Sequence, residues 1–311
     1  TYELSLFFPH SGLLTVLTYC SQISNLCFFG QLQSRDRDEQ ARPMKQVFDL
    51  QALQATLIQE LPFSILALES VKHQIKFNFQ PPKEFYVCEN EELSLVVIKE
   101  LGDESFPVFT IFCKESDAPQ AEQELNEIIR WDQPWEIGGL PDYLVGALKS
   151  NAQNQGSREI LEESECWVAI LDPETTIPEM NIPPNYKVRH AAVEDAEFMD
   201  RLWKFQSSSS LPMLKAQAER GLAFGTYVDG ELKSSLVTFN FGPLGALATA
   251  ETHRKKGLAQ MALIYAAKHL RSEGLTPFAL IETFNKPSFG LFMKAGFTHT
   301  HNVTWLWKRS Q

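Results

Sequence analysis

Four prolines interrupt the chain between Asp172 and Asn185, at positions 173, 178, 183 and 184. Because proline lacks a backbone N–H and has a fixed φ, neither a helix nor a central strand can run through this segment. The chain of 311 residues is long enough for two domains at roughly 100–200 residues each. We therefore predict that a proline-rich linker at 173–185 separates an N-terminal α/β domain at 44–172 from a C-terminal domain at 186–311.

The two halves of the chain differ in charge. The net charge of the whole chain is −11, but residues 185–311 contain 16 Lys plus Arg and 10 Asp plus Glu, a net charge of +6. Residues 1–184 hold the other 12 basic and 29 acidic residues, a net charge of −17. The acidic total makes nucleic acid and anionic membranes poor partners. The basic second half can still accept a small phosphate-bearing ligand.

The N-terminal segment at 1–43 has no formal charge between Leu4 and Ser34. Polar residues and Pro9 interrupt this run, which lacks a basic leader region and the ~20 mostly apolar residues of a membrane-spanning helix. We interpret it as packed structure in preference to a targeting segment or an anchor.

The five cysteines are odd in number and show no paired short spacing. They favour reduced thiols in a cytoplasmic protein, with a mitochondrial location as the alternative.

Strands and helices alternate along the second half, which indicates an α/β sheet. The hydrophobic pattern predicts strands at 186–190, 223–228, 232–240, 244–249, 277–283 and 301–307. It predicts helices at 193–205, 214–220, 257–273 and 288–295, and a hairpin turn at Asp229-Gly230.

The first half has a less regular pattern. Helices are predicted at 44–60, 120–131 and 141–149, and strands at 85–87, 93–98, 107–113 and 166–171. This order resembles that of the second half, and we therefore predict that the first half is a degenerate copy of the second.

The segment Arg254-Lys255-Lys256-Gly257-Leu258-Ala259 lies between a predicted strand and a long amphipathic helix. Three cations in the first turn of a helix oppose the helix dipole, each at a cost of about 0.3–1 kcal/mol at an exposed site. Gly257 and Ala259 leave the backbone amides uncovered, so the start of this helix offers a cluster of N–H donors that can hold a pyrophosphate. Taken alone, the segment is equally compatible with a solvated basic helix start.

The pattern Arg-x-x-Gly-x-Ala after a strand resembles the acetyl-CoA-binding motif of the GNAT N-acyltransferase superfamily. Asn285 at a strand end, Ser288 three residues later and the run Lys294-Ala295-Gly296-Phe297 are similar to later parts of that pattern. Within the superfamily, the two-domain length and the stretches 202–205 and 221–230 look most like the glycine N-acyltransferase group. The resemblance implies an α+β sandwich, with a mixed central sheet and helices on both faces, preceded by a second α/β domain.

The resemblance also implies acetyl-CoA or a longer acyl-CoA as co-substrate, bound between two splayed parallel strands, and no metal. An acceptor amine would enter from the opposite face, near the serines at 207–210. The implied cofactor-binding residues come from one strand, the phosphate turn and the opposite wall: Leu247, Ala248, Thr249, Arg254, Lys255, Lys256, Gly257, Leu258, Ala259, Asn285, Ser288 and Phe292.

Transfer of an acyl group from a thioester to an amine needs a base for the amine proton, a donor that polarises the carbonyl and a route for the thiolate to leave. The catalytic candidates are Glu282, Asn285 and Ser288, with Glu282 as the nearest carboxylate that could act as base. The alternative for Glu282 is a solvated or lysine-paired strand residue. Glu251 is expected to neutralise the basic turn more than to act as a base.

Two positions depart from the family pattern. Phe292 stands where many members have a Tyr that protonates the leaving thiolate, which puts the usual general acid in doubt. Pro243 stands where the resemblance places a catalytic Glu of the glycine acyltransferases, which weakens the case for glycine as the acceptor.

Three other features of the second half are interpreted as structural. His299 and His301 alternate along the last predicted strand and are expected on the same face as surface imidazoles, since a zinc site would need two more ligands. Trp305 and Trp307 share a face and are expected to pack in the core or between domains. The serines at 207–210 are expected to form a mobile loop that could gate the acceptor cleft.

The sequence therefore favours an acyl-CoA-dependent N-acyltransferase that modifies a small amine or an amino acid by direct attack. Two alternatives stay open. One is a protein or peptide N-acetyltransferase with a wide, acidic acceptor groove, and the other is a catalytically weak CoA-binding protein.

Overall fold

A computed structural model of the chain describes residues 43–88, 93–101, 106–155 and 161–308. The uncharged run from Leu4 to Ser34, together with Cys20 and Cys27, lies outside these residues. No helix in the described ranges combines the length and the apolar character needed to cross a membrane.

The first half contains six strands and four α-helices between residues 44 and 170. In chain order they are β1 (Met44–Gln46), α1 (Leu50–Ile58), α2 (Ile65–Phe77), β2 (Glu84–Cys88), β3 (Leu95–Leu101), β4 (Pro107–Cys113), α3 (Ala118–Leu125), β5 (Trp135–Pro141), α4 (Asp142–Asn154) and β6 (Glu162–Ile170).

The second half contains the same kinds of element in the same order. They are β7 (Tyr186–His190), α5 (Ala196–Leu202), α6 (Ser210–Glu219), β8 (Ala223–Val228), β9 (Glu231–Thr238), β10 (Leu244–Thr249), α7 (Leu258–Ser272), β11 (Phe278–Glu282), α8 (Lys286–Lys294) and β12 (Thr298–Lys308). The linker at 173–185 contains neither helix nor strand. Each half is thus a strand, two helices, three strands, a helix, a strand, a helix and a strand, which is the repeat that the degenerate-copy hypothesis requires.

All twelve strands form one sheet, in the order β1-β2-β3-β4-β5-β12-β6-β11-β10-β9-β8-β7. β12 pairs antiparallel with β5 and β6, and β6 pairs antiparallel with β12 and β11. The last strand of each half therefore lies beside the fifth strand of the other half and not beside its own. In topology the halves are related by a two-fold axis through the β12–β6 pair. The two predicted domains are two repeats that share one sheet.

The helices cover both faces of this sheet. Clusters of buried side chains place α1, α2, α5 and α6 on one face and α3, α4, α7 and α8 on the other. Side chains of β6 alternate between the two layers: Cys166, Val168 and Ile170 pack with α2, whereas Ala169 packs in the cluster of α7 and α8. The mixed sheet with helices on both faces agrees with the predicted fold class.

The predicted elements of the second half agree closely with the structure. The strands at 186–190, 223–228 and 244–249 have the predicted bounds, and α7 is one residue shorter at each end than the predicted helix. The predicted helix at 193–205 is wrong at both ends. A 3-10 turn at Val193–Asp195 precedes α5, and Trp203 follows it with an extended ψ of 122°.

The first half departs further from the predictions. The predicted helix at 44–60 begins with strand β1, which pairs with β2. The hydrophobic pattern does not indicate α2, because polar residues such as Glu69 and His73 are buried among its apolar ones. It does not indicate β5 either, because Gly138, Gly139 and Pro141 in this strand are typical of a turn.

The β12 strand supplies core to the half from which it is distant in sequence. Leu306 of β12 is fully buried in a cluster with Trp135 and Ile137 of β5. Leu306→Ala should lower the free energy of unfolding by about 2–5 kcal/mol, since it removes a buried side chain and leaves a cavity. Urea denaturation should show both halves unfolding in one transition, whereas Leu101→Ala, at a residue that is 63% exposed, should change stability by less than about 0.5 kcal/mol. Separate transitions in Leu306→Ala would contradict the shared core.

Candidate functional site

The parallel strands β10 and β11 diverge toward their C-terminal ends. They pair only between Leu244 and Ala279. Beyond this pair the register of β10 shifts at a bulge where Ala246 has a φ of 48°, and β10 continues along β9 as far as Thr249. β11 instead stays with β6 as far as Glu282. The two strands therefore enclose a V-shaped opening, whose edges offer unpaired backbone groups to an extended ligand.

The phosphate turn begins directly after β10. A 3-10 turn at Glu251–His253 is followed by extended Arg254, left-handed Lys255 with a φ of 61°, and Gly257 with a φ of 82° at the N-cap of α7. No side chain caps this helix. The amides of its first turn have no partner within the helix. A Cβ on Gly257 would have Met261 Cε as its nearest neighbour, at 3.9 Å, so the space in front of these amides is open.

The cations of the turn have little compensation from carboxylates. Arg254 Nη1 lies 4.0 Å from Glu251 Oε1, and these side chains are 64% and 88% exposed. Such a pair contributes little at the surface. No ion pair of Lys255 or Lys256 is found in the described part of the chain. The expected neutralisation by Glu251 is therefore weak, and the helix start keeps a positive field that suits an anion.

The implied strand residues lie along one edge of the opening. Leu247 packs partly into the cluster of α7 and α8. The carbonyl of Ala248 accepts a hydrogen bond from Ser234 Oγ at 2.9 Å, and Thr249 Oγ1 lies 2.8 Å from the same hydroxyl. Ser234 of β9 was not indicated by the sequence pattern, and it fixes the end of β10 beside the phosphate turn.

The implied residues on the opposite wall have structural contacts. Asn285 is the N-cap of α8, and its Oδ1 accepts from the amide of Ser288 at 3.2 Å. Phe292 is 2% exposed and packs edge-on against Phe297, with ring centroids 5.0 Å apart. The structure thus accounts for the pattern at 285–297 by helix capping and core packing. The catalytic roles of Asn285 and Ser288, and a cofactor contact by Phe292, stay predictions.

Glu282 lies at the end of β11 on the face covered by α5 and α6. Its Oε2 accepts a hydrogen bond from Lys204 Nζ at 2.9 Å, with the side chains 18% and 55% exposed. Lys204 also lies 4.2 Å from the ring centre of Phe205 and 5.1 Å from that of Phe284. These rings are 51% and 67% exposed. An ion pair flanked by two exposed rings therefore lies near the end of β11, on the sheet face of α5 and α6. Lys204 and Glu282 are 78 residues apart, so the sequence pattern does not indicate their pairing.

The first half lacks an equivalent phosphate turn. Between β4 and α3 the chain has a 3-10 turn at Glu115–Asp117 and then a proline in the first turn of α3. Carboxylates replace the cations and the glycine of the second half. This helix start repels an anionic ligand, which agrees with the predicted degeneracy of the copy.

His299 and His301 lie on opposite faces of β12, and the expectation that they share a face is wrong. A bulge shifts the register between them, so that His299 is opposite Ala169 and His301 is opposite Val168. His301 contacts Phe63 and is mostly buried, which lowers its pKa to about 4. Within the described ranges, no cluster of His, Cys, Asp and Glu suits a metal ion.

The serines and the tryptophans have packing roles. Ser210 is 2% exposed, donates to the Asp200 carboxylate and accepts from the amide of Ser207 at 3.0 Å. The expected loop is present at 207–209, held by hydrogen bonds among its serines, and α6 begins at Ser210. Trp305 lies over Gly138 of β5 and packs edge-on against Phe241, 5.7 Å between ring centres. The predicted packing of Trp305 between the two halves is confirmed.

Cys166 lies opposite Glu282 in the pairing of β6 with β11. Burial, followed by the Glu282 charge, raises the pKa of its thiol to about 12. A cysteine thiol that stays protonated near neutral pH is a poor nucleophile, because the thiolate is the reactive form. We predict that iodoacetamide at pH 8 leaves Cys166 unmodified in the folded protein and modifies it in urea, as measured by peptide mass spectrometry. Rapid alkylation of the folded protein would contradict this.

Comparisons with known proteins agree with this geometry. Residues 223–306 match the family model described as FR47-like protein. The fold is similar to that of a Drosophila protein, with a TM-score of 0.75 and 18% identity over 86% of this chain and 99% of that one. It is also similar to a GCN5-related N-acetyltransferase from Sphaerobacter thermophilus, with a TM-score of 0.50 and 12% identity over 85% and 94% of the two chains.

The resemblance to glycine acyltransferases and the cytoplasmic location stay predictions. The similarity to these two solved structures is one of fold. The fold of this chain is similar to that of a GCN5-related N-acetyltransferase, and residues 223–306 are similar to the FR47-like family model.

Proposed function

We propose that this protein is an acyl-CoA-dependent N-acyltransferase whose reaction takes place between β10 and β11. The observation that carries the proposal is the uncapped, basic N-terminus of α7, which directly follows a parallel strand that separates from its neighbour. Open amides, unpaired lysines and the absence of a Cβ at Gly257 fit the pyrophosphate of CoA. The backbone of Leu247 and Thr249 would pair with the extended pantetheine arm, and no metal is required.

The chemistry needs a neutral amine to attack the thioester carbonyl. A C–N bond forms, the C–S bond breaks, and the amine loses a proton while the CoA sulfur leaves as a thiolate. Glu282 is the carboxylate on the acceptor face that could take the proton, directly or through a water molecule. Phe292 cannot protonate the thiolate, but a thiol with a pKa near ~8.5 can leave unaided at moderate cost.

The acceptor that fits this entrance best is an amino acid or a similar small amine with a negative group. Lys204 and Glu282 present opposite charges 2.9 Å apart. A zwitterion can match this pair, with its carboxylate toward Lys204 and its amine toward Glu282. The rings of Phe205 and Phe284 offer apolar surface to a side chain of the acceptor.

A peptide or protein acceptor is the second candidate. The exposure of Phe205 and Phe284 favours it, because rings that are 51% and 67% exposed can be covered by a larger partner. Thiol release measured with a panel of amino acids beside basic peptides separates the two candidates. Tight CoA binding without thiol release for any acceptor would favour a catalytically weak CoA-binding protein.

Gly257→Glu should abolish CoA binding in calorimetry, because it obstructs the phosphate turn and adds negative charge. A non-glycine residue at this φ costs about 1–2 kcal/mol, so the melting temperature should fall by only a few degrees. Gly257→Ala has the same unfavourable φ but adds no charge, so it separates the effect of backbone strain from the effect of charge. Gly274→Ala applies a similar cost at the other end of α7, where φ is 75° and no atom lies within 4 Å of a Cβ.

We expect Gly274→Ala to bind CoA as the unmodified protein does. The proposal would be contradicted by intact CoA binding in Gly257→Glu, or by a folded unmodified protein that binds neither acetyl-CoA nor a longer acyl-CoA.

Glu282→Gln should reduce kcat by about 10²–10⁴-fold because it removes the base, with a smaller rise in the acceptor KM from the lost charge. Lys204→Ala should mainly raise the acceptor KM. Breaking this partly exposed pair should change stability by less than about 1 kcal/mol. The matched control is Glu273→Gln, which breaks the ion pair of Glu273 with Lys76 at 2.7 Å away from the opening. Equal kinetics for Glu282→Gln and Glu273→Gln would exclude Glu282 as the base.

A further inference from the structure

A cavity of about 180 Å³ opens between elements of the first half and strand β12, and none of its lining residues lies in the opening between β10 and β11. Its apolar lining includes Leu66 and Ala67 of α2 and Val303 of β12. Phe112 and Pro141, at the C-terminal ends of the parallel strands β4 and β5, also line it. In the internal repeat β4 and β5 correspond to β10 and β11. The cavity is therefore the counterpart of the proposed acceptor side in the second half. The first copy has lost its phosphate turn but keeps a ligand-sized opening.

Aromatic rings surround this cavity. Its lining includes Phe63, Phe112, Tyr143 and His301, and the rings of Phe63 and His301 lie 5.1 Å apart. Phe63 and Tyr143 are 61% and 40% exposed at the rim. Because burial holds His301 neutral near physiological pH, its ring adds no positive charge. The faces of aromatic rings carry partial negative charge and attract cations.

The charged side chains that line the cavity are all acidic. They are Glu115, after β4, and Asp142, in the first turn of α4, and neither Lys nor Arg is among the lining residues. Neither carboxylate forms an ion pair with Lys or Arg in the part of the chain that the structure describes. Asp142 Oδ1 accepts a hydrogen bond from Thr304 Oγ1 at 3.1 Å. Burial is the main cause of the raised pKa of the Tyr143 phenol, and the Glu115 carboxylate adds to it.

We propose that this cavity binds a small organic ammonium ion. Glu115 and Asp142 supply the compensating charge, the rings of Phe63, Tyr143 and His301 face the cationic head, and the apolar lining holds an alkyl group. A bare metal ion does not match this lining, because rings and aliphatic side chains cannot replace its oxygen ligands. An anion is excluded by the two carboxylates. The site is separate from the proposed acyl transfer and does not depend on it.

Choline and 3,3-dimethylbutan-1-ol test the proposal, because they have nearly the same shape and differ in charge. Calorimetry on the full chain should show choline bound at least about tenfold more tightly than the neutral alcohol. Equal affinities for choline and the neutral alcohol would mean that the cavity recognises only apolar shape, and they would overturn the proposal. Absence of choline binding by the folded protein at millimolar concentration would overturn it as well.

Four variants locate the binding in the first half. Phe63→Leu and Glu115→Gln should each weaken choline binding by about fivefold or more, at exposed positions where folding is tolerant. Phe284→Leu and Glu251→Gln change matched exposed residues of the second half and should leave choline binding unchanged. If Phe284→Leu lost choline binding and Phe63→Leu retained it, choline would bind at the acceptor entrance and the proposal would be overturned. Gly257→Glu should retain choline binding, which separates this site from CoA binding.

Discussion

The antiparallel pairing of β12 with β6 is the interaction on which the rest of the structure depends. It runs from Thr298 opposite Ile170 to Trp307 opposite Glu162. β12 lies between β5 and β6, the last two strands of the first half, and β6 lies between β12 and β11, the last two strands of the second. Neither half can therefore complete its own sheet. The buried side chains of β12 and β6 then serve both halves, as Leu306 does beside Trp135 and as Ala169 does under α7 and α8. A break in this pair would expose core in both copies at once.

The helix α2 reinforces the same junction with buried polar contacts. Glu69 of α2 pairs with Lys72 at 2.7 Å, and Lys83, just before β2, donates to the carbonyl of Asn240 in the second half at 2.9 Å. Gly242 lets the turn after β9 approach α2 closely, since a Cβ there would lie 2.8 Å from Glu69 Cβ. Burial raises the pKa of Glu69 and lowers that of His73 to about 3. Buried polar groups of this kind need defined partners, and so they favour a single arrangement of the two halves.

The two halves differ at the turn that follows their fourth strand. In the second half the turn before α7 is basic and contains Gly257, which opens a helix start to an anion. In the first half the equivalent turn is acidic. Its Glu115 disfavours an anion at the start of α3 and gives the neighbouring cavity a negative rim. The segregation of charge along the chain, −17 against +6, is thus reflected in the opposite charges of these two turns.

The second half could be predicted from its sequence because its signals are local. The hairpin at Asp229-Gly230, the strand at 244–249 and the basic turn with Gly257 each depend on neighbouring residues, and the structure has them where the pattern indicates. The helix α2 could not be predicted in the same way. Its polar residues are buried by tertiary contacts, which removes the amphipathic period that marks a surface helix.

The sequence by itself determined the α/β pattern of 186–311, the basic turn with Gly257 and the acidity of the first half. Only the tertiary structure decided that the two copies exchange their last strands, that Glu282 pairs with Lys204, and that a bulge sends His299 and His301 to opposite faces. The physical reason is the range of the interactions. Turn chemistry and helix dipoles act within a few residues, whereas strand order, ion pairs across elements and register shifts depend on residues brought together from distant parts of the chain.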